Sequence, residues 1–180
     1  MSAPTSLCEE LGFAPTRANA AQRAMQRAGM TRAGSWVFSR TLYRVDRPLH
    51  RWSSGRITVP GIATGLPVIM LTTTGARSGR ARTMPLAGIP DDDTNPCDIL
   101  LMGTNYAQAT SPAWVYNLEA DPRCVVAWRD RAVPAVAHPV TGADERDEAW
   151  ARASSYYAGF AAYRQRIDRR HVRIFRLVRA

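Results

Sequence analysis

The chain has 180 residues, 46% of them hydrophobic, and a net charge of +9 from 24 basic against 15 acidic residues, which suits one ordinary core in a single domain with appendages. All 24 basic residues are arginine. That excludes Schiff-base chemistry and a Walker-type phosphate lysine, and it favours fork-shaped recognition of phosphate or carboxylate; a GC-rich coding bias accounts for the missing lysine but not for where the arginines cluster.

Residues 1–15 read as a loose tail. The order of a signal peptide is absent, since Glu9 and Glu10 interrupt it, and no apolar run reaches bilayer-spanning length. A soluble, cytoplasmic protein is expected. From Thr16 to about Arg56 the pattern is basic and helical: "RANAAQRAMQRAG" ends at Gly29, a C-cap candidate, and "SWVFSRTLYRVDRPLHRW" puts Trp36, Val37, Leu42, Tyr43 and Val45 on a partly apolar face. Met1 to Val59 hold nine arginines against three acids. The favoured reading is a helical segment packed on its own domain with solvated arginines. The other is docking to an anionic surface, which would make the protein peripheral on the inner face of the cell membrane. Nucleic acid is not expected as a partner, for want of an aromatic RNP-type strand or a KH loop.

From Pro60 the period changes. "LPVIMLTTTG", "RTMPLAGIP" and "DILLMGT" are short β-rich runs, the last two separated by the turn "DDDTNP". "SPAWVYNLEADP" reads as a short helix with Ser111 as N-cap, Pro112 at its first position and Pro122 as its stop. "CVVAWR" and "AVPAVAHPV" form a hairpin around Arg129–Asp130–Arg131. "TGADERDEAWARASSYYAGFAAYRQRID" opens at Thr141 or Asp144 as a long helix bent near Gly159, and "HVRIFRLV" closes the chain as a strand. Residues 16–180 are therefore expected to form one α+β domain around a small antiparallel barrel, which removes sheet edges. Without βαβ alternation a Rossmann site is not expected. The cysteines Cys8, Cys97 and Cys124 lack CxxC spacing and the histidines His50, His138 and His171 are scattered, so neither a disulfide framework nor a metal site is suggested.

Two stretches carry chemistry. "TTTGARSGRARTMP", residues 72–85, holds Arg77, Arg80 and Arg82 with no acid. Gly75 and Gly79 permit positive φ, consecutive turn amides can form an anion-binding nest, and Ser78 adds a hydroxyl. A solvent-exposed basic hairpin is the plainer alternative. In "MGTNYAQATSPAWVYNLEADPR", Trp114 and Asn117 lie three apart on one helical face, beside a loop whose amides can meet a carbonyl or an anion. Here the plainer alternative is a core Trp114 and a capping Asn117.

These segments, with "YYAGFAAYRQRIDRR" and the upstream "FSRTLYRVDRPLHRWSSGRITVPGIATGLPV", resemble the deazaflavin (F420)-dependent nitroreductase family, which includes quinone reductases. The resemblance spans roughly residues 35–178. It implies a split β-barrel with N- and C-terminal helices, related to FMN-binding, pyridoxamine-oxidase-like folds. It also implies hydride transfer from reduced F420 to a small acceptor: a quinone, a nitroaromatic or an activated enone. By position, Arg77, Ser78, Gly79 and Arg82 fall where the family holds the phosphate and glutamate tail. Thr83, Met84, Pro85 and Leu86 fall alongside the ring. Met102, Gly103, Thr104 and Asn105 match the loop at the ring's other edge, Trp114, Tyr116 and Asn117 the helix beside it, and Phe160 and Tyr163 aromatics that frame the pocket. Family members often carry Asn where Met84 stands, and Phe160 has no hydroxyl where a relative has tyrosine. Proton delivery to the reduced acceptor is assigned to Tyr163, or a water it holds, with Tyr157 brought in by a kink at Gly159. The alternatives are an FMN-dependent reductase on the same barrel and a non-catalytic deazaflavin-binding protein. The sequence leaves monomer and homodimer both open.

Overall fold

The computed structural model describes residues 6–15, 19, 65–91, 97–167 and 171–180. Nearly all of the basic helical segment expected over 16–56, and most of the turn "DDDTNP", lie outside these residues.

Strands β1 (Val68–Thr74), β2 (Ala81–Ala87), β3 (Ile89–Asp91), β4 (Asp98–Met102), β5 (Arg123–Trp128), β6 (Arg131–Pro139) and β7 (Ile174–Arg179) form one sheet in the order β2-β1-β5-β6-β7-β4-β3, every neighbouring pair antiparallel. Its two edge strands, β2 and β3, are consecutive in the chain and joined by Gly88 alone. The sheet must therefore curl until its edges nearly meet. Gly88 sits at that seam: a Cβ there would stand 3.0 Å from Ile69 Cγ2 on β1 and 3.2 Å from Ile99 Cγ2 on β4. The result is a curled antiparallel half-barrel with helices against it, the split β-barrel of α+β class that the strand pattern and the resemblance predict.

Period-two alternation sorts the side chains. Ile69, Leu71, Ile99, Leu101, Val126, Val133, Ala135, Phe175 and Leu177 fill the barrel, while Ile89, Leu100, Met102 and Ile174 face outward into a second core. That outer core is covered by α3 (Ala143–Tyr156) and α4 (Gly159–Arg166), which bring in Trp150, Ala153, Tyr157, Phe160 and Tyr163. The bend expected near Gly159 is a true break: Tyr157 is extended (φ −148°, ψ 108°) and ends α3.

β1 and β4 are four antiparallel steps apart in the sheet, so they run the same way. The turn after β1 and the loop after β4 thus leave by the same end of the barrel. Helix α2 (Ala113–Ala120) closes that end with Trp114, Val115 and Leu118. The opposite end is closed by α1 (Leu7–Leu11), and this corrects the expected loose tail. Leu7, Cys8, Leu11 and Phe13 are buried in the barrel core. Ser6 and Glu9 form a capping box, with Ser6 Oγ accepting from Glu9 N–H at 3.1 Å and Ser6 N–H donating to Glu9 Oε2 at 3.0 Å. Arg131 donates to the Glu10 carbonyl at 3.2 Å, and Arg179 pairs with the Glu10 carboxylate. A second correction lies here. Cys8 and Cys97 are disulfide-bonded across 89 residues of sequence, with Cα atoms 5.6 Å apart; the topology, not any local spacing, brings them together.

Three local expectations shift. Pro112 rather than Ser111 is the N-cap of α2, and Ser111 instead accepts from Arg173 Nη1 at 3.2 Å. The N-cap of α3 is Gly142, and neither Thr141 nor Asp144 caps it. The β5–β6 hairpin turns on Arg129 and Asp130, with Arg129 at φ 55°.

Candidate functional site at the α2 end of the barrel

The turn between β1 and β2 is tight and internally bonded. Gly75 N–H donates to Arg80 O (2.9 Å), while Ser78 N–H (3.1 Å) and Gly79 N–H (2.8 Å) both donate to Gly75 O. Arg80 N–H reaches Ser78 Oγ at 3.4 Å, and Ala76 N–H is taken by Asn117 Oδ1 at 3.0 Å. Gly79 has φ 62°, the left-handed conformation that suits glycine. Gly75 has no room for a Cβ, which would meet Ser78 Oγ at 2.7 Å. With five turn amides already engaged, the expected backbone nest is not on offer. Anion recognition falls to side chains.

Those side chains reach outward from the turn and the start of β2. Arg77, Arg80 and Arg82 are exposed, and among the described residues none makes an ion pair or a side-chain hydrogen bond. Several other arginines are paired with acids: Arg152 and Arg176 both grip the buried Asp91, at 3.2 and 3.0 Å, Arg164 pairs with Asp147, and Arg173 with Glu119. A tight turn and the strand start after it, presenting three guanidiniums with no acid partner among the described residues, suit a multiply charged anion.

On β2 the four residues expected alongside a ring divide between two faces. Thr83 and Pro85 are exposed on the outer face, where Thr83 Oγ1 lies 2.8 Å from Thr72 Oγ1. Met84 and Leu86 turn inward and pack on the barrel core, so a ring on the outer face would meet Thr83 and Pro85. Arg82 shares the inward side with Met84 but lies at the open rim, opposite Thr73.

After β4, Gly103 is fixed by packing: its N–H donates to Arg173 O at 2.9 Å, and a Cβ would lie 2.8 Å from that oxygen and 3.1 Å from Val115 Cγ2. Met102 and Thr104 are buried. Asn105 (φ 47°) uses its amide to close its own loop, donating to Thr110 O at 2.9 Å. On α2, Trp114 is 2% exposed and meets Phe175 edge-on at 5.9 Å, so it is a core residue. Tyr116 is exposed, with the Arg173 guanidinium 5.9 Å from its ring centre. Asn117 is buried and ties the end of β1 to the turn after it: besides accepting from Ala76 it donates Nδ2–H to Thr73 Oγ1 at 2.9 Å.

The helix break brings three C-terminal aromatics into one cluster. Tyr157 and Phe160 meet at 5.7 Å, and Tyr163 lies 6.2 Å from each, all edge to face. They pack with Met102, and α4 lies against the 3₁₀ turn Asn105–Ala107. The guanidinium of Arg166 stands 5.6 Å from the Tyr163 ring. So the structure groups the predicted residues in two sets, the basic turn with Asn117 and the aromatic cluster with Met102. Arg173, which links Gly103, Ser111, Glu119 and Tyr116, carries no sequence signal. Thiol nucleophilic chemistry is not supported at Cys124: burial, then the nearby Asp121, pushes its thiol up to about 12. Among the described residues no group of His, Cys, Asp or Glu is arranged to hold a metal, and no helix is long and apolar enough to cross a membrane.

Comparison with known proteins bears on the family and the fold. A family model described as F420H(2)-dependent quinone reductase matches residues 42–178. The F420H(2)-dependent quinone reductase Rv1261c of Mycobacterium tuberculosis (strain ATCC 25618 / H37Rv) is 32% identical over 83 residues, 45% of this chain and 51% of that protein. The chain therefore spans about half the length of the curated relatives it matches. Among solved structures, an F420-H2 dependent reductase, FDR-A, superposes with a TM-score of 0.54 at 28% identity, covering 62% of this chain and 93% of that one. A protein described as a domain-swapped dimer shares the fold, with a TM-score of 0.56 at 24% identity over 81% of this chain and 98% of its own.

Proposed function

Because the chain belongs to the F420H(2)-dependent quinone reductase family, we propose that it binds reduced F420 at the α2 end of the barrel and reduces a small acceptor there. The acceptor class is a quinone first, and a nitroaromatic or activated enone by the same chemistry. One observation carries the reading: Arg77, Arg80 and Arg82 make no ion pair among the described residues, on and beside a turn with five of its amides already engaged. A tail with a phosphate and several carboxylates fits three guanidiniums better than the single phosphate of FMN does.

When bound, the reduced deazaflavin supplies a hydride. The chain's own tasks are to grip, to align and to keep the pocket dry. Arg77, Arg80 and Arg82 would hold the anionic tail, with the Ser78 hydroxyl as a further donor. Thr83 and Pro85 offer a flat strand face for a ring. Reduction of any of these acceptors leaves a site that needs a proton; Phe160 cannot give one, which leaves the Tyr163 hydroxyl, or a water it holds, as donor, with Tyr157 beside it.

Side-by-side titration of the protein with F420, FMN and NADPH, followed by tryptophan fluorescence, tests the reading. F420 should bind tightest, and reduced F420 should then be consumed with a quinone. Tighter FMN binding would move the protein to the flavin branch of the same fold, and F420 binding without turnover would make it a carrier. A contact of residues 16–56 with the membrane, which would bring the enzyme to a lipid quinone, predicts flotation with anionic liposomes at low salt and none once that segment is removed. Monomer and homodimer are both compatible with this site.

A further inference from the structure

Asn117 has its side-chain amide committed at both ends. Oδ1 accepts the Ala76 amide, and Nδ2 donates to Thr73 Oγ1. Ala76 immediately precedes Arg77, and Thr73 is the register partner of Arg82. One amide on α2 therefore ties the residue before Arg77 to the strand residue opposite Arg82. Thr73 is 3% exposed and faces the barrel interior, out of reach of anything seated on the turn. Without this link the turn would hang from two strand ends by its own short bonds. A polar contact this buried costs more when half-made than when absent, so it defines one geometry.

We propose that Asn117 is the positioning residue of the basic turn: it does not touch the anion but sets Arg77 and Arg82 to receive it, with Thr73 as its anchor. The proposal rests on the reading of that turn as the seat of the F420 tail.

The test compares two ligands on the full chain, F420 and the riboflavin-like deazaflavin that lacks phosphate and glutamates. Wild type should bind F420 more tightly. Asn117→Ala and Thr73→Val should each weaken F420 binding about tenfold, the worth of a buried hydrogen bond, while leaving affinity for the tail-less ligand at the wild-type level. Thr73→Ser, which keeps the hydroxyl, should retain F420 affinity, and the double variant should bind no worse than Asn117→Ala alone, because the two act as one unit. Thr73→Val preserves side-chain shape and serves even if Asn117→Ala folds poorly. Wild-type F420 affinity in Thr73→Val beside a loss in Asn117→Ala would make Asn117 a direct ligand and overturn the proposal. Equal weakening of both ligands would overturn it too, as general damage to the fold. If wild type itself failed to distinguish the ligands, the turn would not be the seat of the tail, and the functional reading would fall with the proposal.

Discussion

The ring of Tyr157 lies across the backbone of Gly159: a Cβ on that glycine would stand 2.1 Å from Tyr157 Cε1 and 2.6 Å from its hydroxyl oxygen. Gly159 thus lets α3 stop and the Tyr157 ring just after it fold back over the start of α4, against Phe160 and Tyr163. Gly159→Ala should force Tyr157 out of this seat. The expected cost is about 1–3 kcal/mol, as for overpacking a core, or roughly 2–4 °C in melting temperature per kcal/mol for a chain of this size, with slower acceptor reduction. A variant that melts and turns over like wild type would show that Tyr157 has room to move and that the three aromatics are not one rigid unit.

Tyr163→Phe keeps the edge-to-face packing and removes only the hydroxyl. If that hydroxyl or its water delivers the proton, turnover with a quinone should fall by about tenfold or more, with F420 affinity unchanged. Tyr157→Phe should cost less. Full turnover in Tyr163→Phe would remove Tyr163 from the mechanism.

How much of this the sequence carries depends on the range of the signal. β1, β2, β4, β5, β6 and β7 are legible because alternation and turn residues are local, and the basic turn is legible because its arginines are close together in the chain. The closure of the N-terminal barrel end by Leu7, Cys8, Leu11 and Phe13 is not: five helical residues with two leucines four apart look like a tail until the barrel they close is known. The Cys8–Cys97 link and the Thr73–Asn117–Ala76 bridge are equally long-range. The division of β2, with Thr83 and Pro85 outward and Met84 and Leu86 inward, follows from the period of two but needs the barrel to say which face is which.

Asp98 is buried at the start of β4, opposite Asp91. Burial pushes its carboxyl above the usual range and Asp91 adds to that, against the pull of Arg176 and His138. A carboxyl whose folded pKa is raised favours the native state while protonated, and that advantage is lost as pH rises through the folded value. Asp98→Asn should therefore stabilise the protein at neutral pH, by on the order of 1 kcal/mol. The gain should vanish below the unfolded carboxyl range, where Asp98 is itself neutral. Thermal melts at neutral and acid pH check this; a lower melting temperature for Asp98→Asn than for wild type at neutral pH would contradict it.

The disulfide makes a chemical prediction. Under denaturing, non-reducing conditions one thiol, Cys124, should react with a maleimide, and three should react after reduction. Cys97→Ser should lower stability by about 2–4 kcal/mol in the oxidised protein, as for loss of a long-loop cross-link, and by much less when wild type is compared reduced. Three reactive thiols in freshly purified, unreduced protein would contradict the link.

The most direct measurement is the dissociation constant of F420 for wild type and for the Arg77→Gln/Arg82→Gln double variant, at low and at high salt. Each charge-assisted contact should be worth about tenfold or more, so the variant should bind on the order of a hundredfold more weakly at low salt, and wild type should lose most of that margin as salt screens it. An F420 affinity that is the same in both proteins, and indifferent to salt, would contradict the account.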